Sequence, residues 1–333
     1  MDKIIAIVVS YNRHSLLTEC IDALRKQTRK PDAILVVNNG SVDYTSVWLD
    51  QQDDVIHLYQ ENAGSAGGYH TGMKWAYDHG YGLMWCMDDD GYPAPDALEI
   101  LLFHRSYETE MLNCAVINKN DKKRFVSKTK KFKTLEEVDS FAIEGVCHPF
   151  NGTLIHRSII EKAGLPLSEL FYWGEEREYF YRVSRKYKIP VKTISYSVFY
   201  HPDLSHAQKK EWDTSRDWKM YFYIRNRYKV MQSRYQFKMI SFPAYMLFFL
   251  RISFSVLLKQ RSNKARKLVF LCWPFADALK NQFNSTPEQI IHKMNMKQQE
   301  SVVSMLLRPV KKAILNAFVP SYSDGSKPAL IEL

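Results

Sequence analysis

Three adjacent carboxylates, Asp88-Asp89-Asp90, stand out in this 333-residue chain as groups able to do chemistry. Side by side they repel one another, and a cation relieves the repulsion. Hard divalent ions such as Mg2+ or Mn2+ take one or two carboxylates and leave other positions to phosphate oxygens. A solvated acidic turn, helped by Gly91 and Pro93, is the plainer alternative. A second acidic group, Glu175-Glu176-Arg177-Glu178-Tyr179, sits at an expected helix start, with Arg182 four residues beyond Glu178 and able to pair with it. Acids in a first turn suit the helix dipole. One of them could equally act as general base towards an acceptor hydroxyl. His201, before Pro202, could complete a metal shell, although a lone histidine is most often structural. The segment Gly64-Ser65-Ala66-Gly67-Gly68 lacks the GxGxxG spacing of a dinucleotide fingerprint. It reads either as a flexible loop before a helix or as backbone N–H groups approaching an anionic ligand.

These groups need elements to position them. Residues 3–10 (KIIAIVVS) form a β-branched run of strand length, apolar on both faces. Leu16, Leu17, Ile21 and Leu24 have helical spacing, with Ser15 a candidate N-cap. Further strands are expected at 33–37, 55–59 and 81–87, and a helix at 70–79. Strands alternating with helices predict an α/β fold whose parallel sheet is covered on both faces, and such sheets bind ligands beyond the carboxyl ends of their strands. Ser10–Arg13, Asn38–Asp43 and Asp88–Asp90 all fall at such ends. Three polar clusters therefore converge on one edge, and the strand expected near 191–199 brings His201 to it as a fourth. Residues 118–134 read as an exposed loop, 175–187 as a helix, and everything beyond about 212 as helical.

Composition is globular, with 46% hydrophobic and 25% charged residues, which excludes wholesale disorder. Thirteen Gly and thirteen Pro exclude a collagen-like chain. The net charge of +10 is local: from Arg234 onward there are 15 Lys/Arg against 5 Asp/Glu, so the preceding residues balance. Five dispersed cysteines (20, 86, 114, 147 and 272) without a CxxC pair fit a reducing compartment. The N-terminal apolar run is short and meets Ser10-Tyr11-Asn12-Arg13 without a cleavage site, so a cytoplasmic location is expected.

Taken in order, Val8–Arg13, Asn38–Asp43, Asn62–Gly68, Met87–Asp90, Glu175-Glu176 and Tyr223-Ile224-Arg225-Asn226 resemble family 2 glycosyltransferases of the GT-A fold, over about residues 3–228. Within that family the pattern is most similar to bacterial galactofuranosyltransferases, and rhamnosyltransferases of polysaccharide assembly share much of it. The resemblance implies an inverting, metal-dependent transfer of a sugar, galactofuranose from UDP-galactofuranose, onto a lipid-linked glycan in cell-surface polysaccharide synthesis. A dTDP-rhamnose-dependent enzyme is the alternative, and a non-catalytic membrane-associated scaffold the alternative of another class. It implies residues 1–100 as the nucleotide-sugar half, 101–211 as the acceptor half and 212–333 as a basic helical region. Carried over by position, Glu176 is the catalytic base and Glu175 its fallback. Ser10, Asn12, Arg13, Asn39, Asp43, Gly67, Gly68, Asp88 and Asp89 bind the nucleotide sugar. Asp90, Asp88 and His201 hold Mn2+ or Mg2+. Trp173, Asn151 and Gly152 face the acceptor. Two positions depart from the pattern: Asn38 stands where many relatives have Asp, and Glu176 where the usual acid pair ends in Asp.

The same resemblance gives the basic end a use. A lipid-linked acceptor lies at a membrane, and apolar Phe237–Leu258 is followed by Lys259, Arg261, Lys264, Arg266 and Lys267. That suits a helix lying in the cytoplasmic face of an inner membrane, at about 1 kcal/mol per cation near anionic headgroups. Pro243 and Arg251 interrupt the run, leaving no uncharged 18-residue span. Met305-Leu306-Leu307 with Arg308, Lys311 and Lys312 suggests a second contact. Internal packing or an oligomer contact is the alternative. Cations placed beside an apolar run, rather than among exposed aromatics, disfavour nucleic acid.

Overall fold

A computed structural model of the chain describes residues 2–106, 109–127, 132–145, 148–203, 211–212 and 218–299. Cys147 and the second basic segment (Met305–Lys312) lie outside them. The chain opens with β1 (Ile4–Ser10), α1 (His14–Arg25), β2 (Ala33–Asn38), α2 (Thr45–Leu49), β3 (Val55–Tyr59), α3 (Gly64–Asp78) and β4 (Leu83–Asp88). Then come β5 (Tyr92–Pro93), α4 (Ala97–Phe103), β6 (Met111–Asn118), β7 (Ala142–Glu144), β8 (Thr153–His156), α5 (Arg157–Ala163), α6 (Glu175–Tyr181) and β9 (Val191–His201). A π-helical turn, Arg182–Lys186, extends α6. Four helices follow: α7 (Lys219–Tyr235), α8 (Lys238–Lys259), α9 (Lys264–Leu279) and α10 (Pro287–Gln299).

All nine strands join one sheet, in the order β3-β2-β1-β4-β8-β6-β9-β5, with β7 also on β9. Strands β1, β2, β3, β4, β6 and β9 point one way and β5, β7 and β8 the other, so the expected mostly parallel α/β sheet is present. Every residue of β1 is buried because the strand is covered twice. Ala6 and Val8 pack with Leu17, Ile21 and Leu24 of α1, whereas Ile5, Ile7 and Val9 pack with Tyr69, Met73 and Ala76 of α3. The chain winds from β1 outward through β2 and β3, then returns to place β4 on the other side of β1. That reversal is a topological switch point, where the connections diverge and leave a crevice. The registers Val9↔Asp88 and Ser10↔Asn38 bring three of the polar clusters to it.

Three local expectations change. Helix α1 begins at His14, so Ser15 lies inside it, and the cap comes instead from Asp43, whose Oδ2 accepts from His14 N at 3.2 Å. Helix α3 begins at Gly64 rather than near residue 70, taking the glycine segment into its first turns. Helix α8 runs unbroken through Pro243 and is long and apolar enough, by length and composition, to cross a membrane.

The C-terminal helices build their own core around Tyr221, Phe222, Ile224, Phe270 and Leu271. Helix α8 is inverted relative to an ordinary surface helix. Ser241, Tyr245 and Val256 face inward, while Met239, Leu247, Phe254 and Leu258 are between 61% and 88% exposed.

Candidate active site

The polar clusters do meet at the switch point. The Asn12 side chain accepts from Val42 N (2.7 Å) and its backbone N–H donates to Ser41 Oγ (2.9 Å), locking the loops after β1 and β2 together. Arg13 Nη1 bridges Asp89 Oδ1 (3.0 Å) and Asp90 Oδ2 (2.8 Å). His201 Nε2, arriving on β9, lies 3.1 Å from Asp90 Oδ1. That contact lacks hydrogen-bond geometry, and the enclosed Asp90 Oδ1 makes no hydrogen bond.

The three adjacent aspartates have distinct surroundings. Asp89 is buried, accepting from Ser10 Oγ (2.8 Å), and burial raises it to about 7 against the opposing pull of Arg13 and Ser10. Asp88 Oδ1 accepts from Tyr69 Oη (2.7 Å), and burial together with Asp90 raises it to about 6. At Asp90 burial also acts upward, but His201 and Arg13 outweigh it and hold the carboxyl near 2.

Ligand atoms of Asp88, Asp90 and His201 all lie within 4.8 Å of one another. The set fits a divalent cation. His201 Nδ1 faces the Pro202 carbonyl at 2.8 Å; a carbonyl can only accept, so this nitrogen carries the proton. Nε2 faces the acid cluster, where Asp90 raises the ring's pKa, and a bound cation would replace the proton that Nε2 takes there. Two carboxylates, one with a free enclosed oxygen, and one imidazole make an O/N donor set suited to Mn2+ or Mg2+.

Glu175 and Glu176 open α6 on the same side. Ser65 Oγ donates to Glu175 Oε1, Glu175 Oε2 is enclosed without a partner, and burial raises this acid to about 7. Glu176 is half-buried. Burial, then Glu175 and Asp88, push its carboxyl well above the usual range, with Asp90 adding to them. Both acids therefore lie in one negative field with the aspartates. Glu178, by contrast, is structural: Arg182 Nε and Nη2 bind its two oxygens at 2.9 and 3.0 Å.

Several residues expected to line the ligand pocket spend their polar groups on the protein itself. Ser10 and Asn39 are buried, and Asn39 spends its amide on Gln60, Ala63 and Gly64, fixing the start of α3. The N–H groups of Gly64, Ala66 and Gly67 are taken by Asn62, Phe171 and Ala63. Gly67 and Gly68 serve packing, since a Cβ on Gly68 would lie 2.4 Å from Val9 Cγ1 and one on Gly67 2.3 Å from Ala63 Cβ. Asp43 remains exposed and holds the first turns of α1 and α2 through His14 N and Thr45 N. Asn38, also buried, accepts from Ser41 N and donates to Ser46 Oγ.

Of the residues expected to face the acceptor, Asn151 is buried and backs Asp88 (3.5 Å) and His148 Nδ1 (2.9 Å). Gly152 is buried at φ +77°, where a Cβ would meet Cys114 Sγ at 2.6 Å. Trp173 is half-buried in a turn with φ +59°, its ring edge-on to Tyr223. Sequence reasoning missed Tyr69 and His148, whose ring lies 5.3 Å from His201. Each is a lone aromatic or imidazole in the sequence, with no spacing to mark it.

The Arg225-Asn226 pair holds the turn before α6. Arg225, fully buried and without a carboxylate ion pair among the described residues, donates to the carbonyls of Phe283, Glu169 and Leu170. Asn226 Nδ2 reaches the carbonyls of Leu170, Tyr172 and Trp173 at 2.7, 2.9 and 2.8 Å.

The mostly parallel sheet, with an Asp-Asp-His set and a paired acid at its switch point, fits a glycosyltransferase of the GT-A fold. Residues 5–164 match the family model Glycosyl transferase family 2, a glycosyltransferase domain. It is 29% identical over 216 residues to a galactofuranosyltransferase of Mycobacterium tuberculosis, covering 60% of this chain and 70% of the relative. It is 30% identical over 105 residues to an undecaprenyl-phosphate mannosyltransferase of Micrococcus luteus, covering 30% and 43%. Among solved structures, S. aureus TarS (residues 1–349) in complex with UDP has the same fold, with TM-score 0.54, 14% identity and coverage of 97% and 94%.

Proposed function

We propose that this glycosyltransferase moves galactofuranose from UDP-galactofuranose to a lipid-linked glycan at a membrane surface, with inversion and with Glu176 as base. The observation that carries the reading is the convergence of Asp88, Asp90 and His201 with Glu175-Glu176 at one sheet edge. The similarity to galactofuranosyltransferases supports the donor sugar. The name of the Micrococcus relative, and UDP in the TarS complex, support a polyprenyl-linked acceptor and a uridine diphosphate donor.

Asp88, Asp90 and His201 would hold Mn2+ or Mg2+, which supplies positive charge to the diphosphate leaving group. The chain's own residues do the rest. Arg13, 46% exposed at its side chain and kept charged by Asp89 and Asp90 against burial, offers a cation to the donor phosphates. Tyr69 and Asn151 orient Asp88. Glu176 takes the acceptor hydroxyl's proton. Its raised pKa makes it a stronger base once ionised, and the proton it gains is then held against solvent. Glu175, bound to Ser65 and deeper, is the fallback. The inverted apolar face of α8, with Lys238, Arg251, Lys259 and Arg261 exposed along and beside it, lies in the headgroup region of the cytoplasmic leaflet.

A donor screen tests this. Purified protein is supplied with Mn2+ or Mg2+ and UDP-galactofuranose, UDP-galactopyranose, UDP-glucose or dTDP-rhamnose, and nucleotide release is scored with and without EDTA and membrane extract. EDTA-sensitive release of UDP from the furanose alone is expected, with Asp90→Ala and Glu176→Gln each losing at least about a hundredfold. Release from dTDP-rhamnose would replace the donor. Full function in both variants would replace the enzyme by a scaffold.

A further inference from the structure

Helix α6 packs along α7. A Cβ on Gly174 would approach Asn226 and Val230, Ser233 Oγ donates to Glu178 Oε1 at 2.7 Å, and the Arg234 guanidinium lies 5.5 Å from the Tyr181 ring. Beside this seam Arg177 and Tyr181 stand one turn apart on α6, and Tyr223, Arg227 and Arg234 occupy one stripe of α7. None of the three arginines forms an ion pair among the described residues.

Arg227 is the telling member. It is half-buried, its Nε is enclosed without a hydrogen-bond partner, and its guanidinium sits 5.4 Å from the ring centre of Phe248 on α8. Burial works against its charge and Arg177 and Arg234 add to that, while Tyr223 and Tyr181 act the other way. An enclosed cation without a counter-charge is costly, and a phosphate relieves the cost because a guanidinium fork matches its oxygens. The surroundings narrow the choice. Arg177 follows Glu176 directly and favours its ionised form. Tyr223, at the rim, is edge-on to Trp173 (6.0 Å) on one side and to Phe248 (5.8 Å) on the other. From Phe248 the apolar outer face of α8 continues through Leu247, Leu250 and Phe254.

We propose that Arg177 and Arg227 bind the phosphate or diphosphate joining the acceptor glycan to its polyprenyl chain, with the sugar directed to Glu176 and the hydrocarbon along α8. This rests on the lipid-linked acceptor reading and adds the site that recognises the link. The order along the protein, from base through arginines to apolar helix, repeats the order along such an acceptor, from sugar through phosphate to hydrocarbon.

The test is calorimetric titration of the full-length wild type, Arg227→Gln and Arg177→Gln with farnesyl diphosphate, a soluble polyprenyl diphosphate, and with farnesol. The wild type is expected to prefer the diphosphate, and each variant to lose about tenfold of that preference, the scale of one charge-assisted hydrogen bond. Arg177 is exposed, so its variant carries the test if Arg227→Gln unfolds. No preference in the wild type, or an undiminished one in the variants, overturns the proposal. Loss of binding to phosphatidylglycerol vesicles with farnesyl diphosphate binding unchanged assigns the arginines to bilayer headgroups and also overturns it. Diphosphate preference without nucleotide release from any donor leaves this site standing and sinks the enzymatic reading. Donor turnover without the preference does the reverse.

Discussion

Replacing Asn226 by alanine should destabilise the protein by about 3–5 kcal/mol. The Asn226 amide has two N–H groups facing three carbonyls, those of Leu170, Tyr172 and Trp173, so two hydrogen bonds are fully made and the third is shared. Its Oδ1 accepts from Arg225 Nε at 3.0 Å. Losing two neutral bonds costs about 1 kcal/mol each, and stranding a buried guanidinium N–H adds about 1–3 kcal/mol. The turn has little else to replace them. Phe171 and Trp173 hold φ of 61° and 59°, conformations that persist in residues with a Cβ only when neighbours enforce them. Guanidinium denaturation of wild type and variant measures the cost as a shift in midpoint at unchanged slope. Because Glu175 and Glu176 follow this turn directly, hydrogen exchange at 170–176 should accelerate as well. A loss below about 1 kcal/mol, or unchanged exchange there, refutes the clamp.

Gly68→Ala should cost about 1–3 kcal/mol by overpacking, because its Cβ would sit 2.4 Å from Val9 Cγ1; normal stability with weakened donor binding would instead restore the glycine to the ligand pocket. Glu175 is held near 7 against an ordinary 4.5, so above about pH 4.5 the unfolded chain ionises while the folded one keeps its proton, and this group's contribution falls as pH rises to about 7. Glu175→Gln removes that loss, so its stability advantage should grow between pH 4.5 and 7 by up to about 3 kcal/mol; parallel melting profiles for wild type and variant would contradict this. Flotation with phosphatidylglycerol liposomes at low salt should fail for Leu247→Asp/Leu250→Asp/Phe254→Asp, by about tenfold or more. Equal flotation of that triple variant, or none by the wild type, sinks the interfacial role of α8.

Much of the polar sheet edge was legible because strand ends carry a double signal. The run Ile4–Val9 is apolar at every residue, which only a doubly covered strand needs, and the polar residues that end it must then lie at a sheet edge. Asp88–Asp90 and His201 followed by the same reasoning. What was not legible is which polar side chains face outward. Asp88, Asp89 and Asp90 are indistinguishable in sequence. Their roles diverge because Asp88 ends a strand beneath Tyr69, Asp89 turns inward to Ser10, and Asp90 meets His201, a contact across more than a hundred residues. The glycines are ambiguous for a related reason. A segment rich in glycine looks the same whether the missing side chains admit a ligand or a neighbouring strand, and here Val9 takes the space at Gly68.

The Tyr223–Asn226 motif shows the limit most clearly, and also joins the two ends of the molecule. In sequence it is a polar step in a helical stretch. In the fold Tyr245 of α8 donates to the Ile224 carbonyl at 2.9 Å, Arg225 gathers Phe283 from beyond α9 with Glu169 and Leu170, and Asn226 fixes the turn leading to Glu175-Glu176. These contacts are backbone carbonyls throughout, and carbonyls carry no residue-type signature, so no reading of side chains could foresee them. Their effect is to fasten the helix with the outward apolar face to the helix that carries Glu175 and Glu176. A base on a freely hinged element would meet a membrane-held acceptor at variable height. Under the proposed function, a base fastened through α7 to α8 would meet it at a fixed distance from the lipid surface, the geometry that a lipid-linked sugar would require.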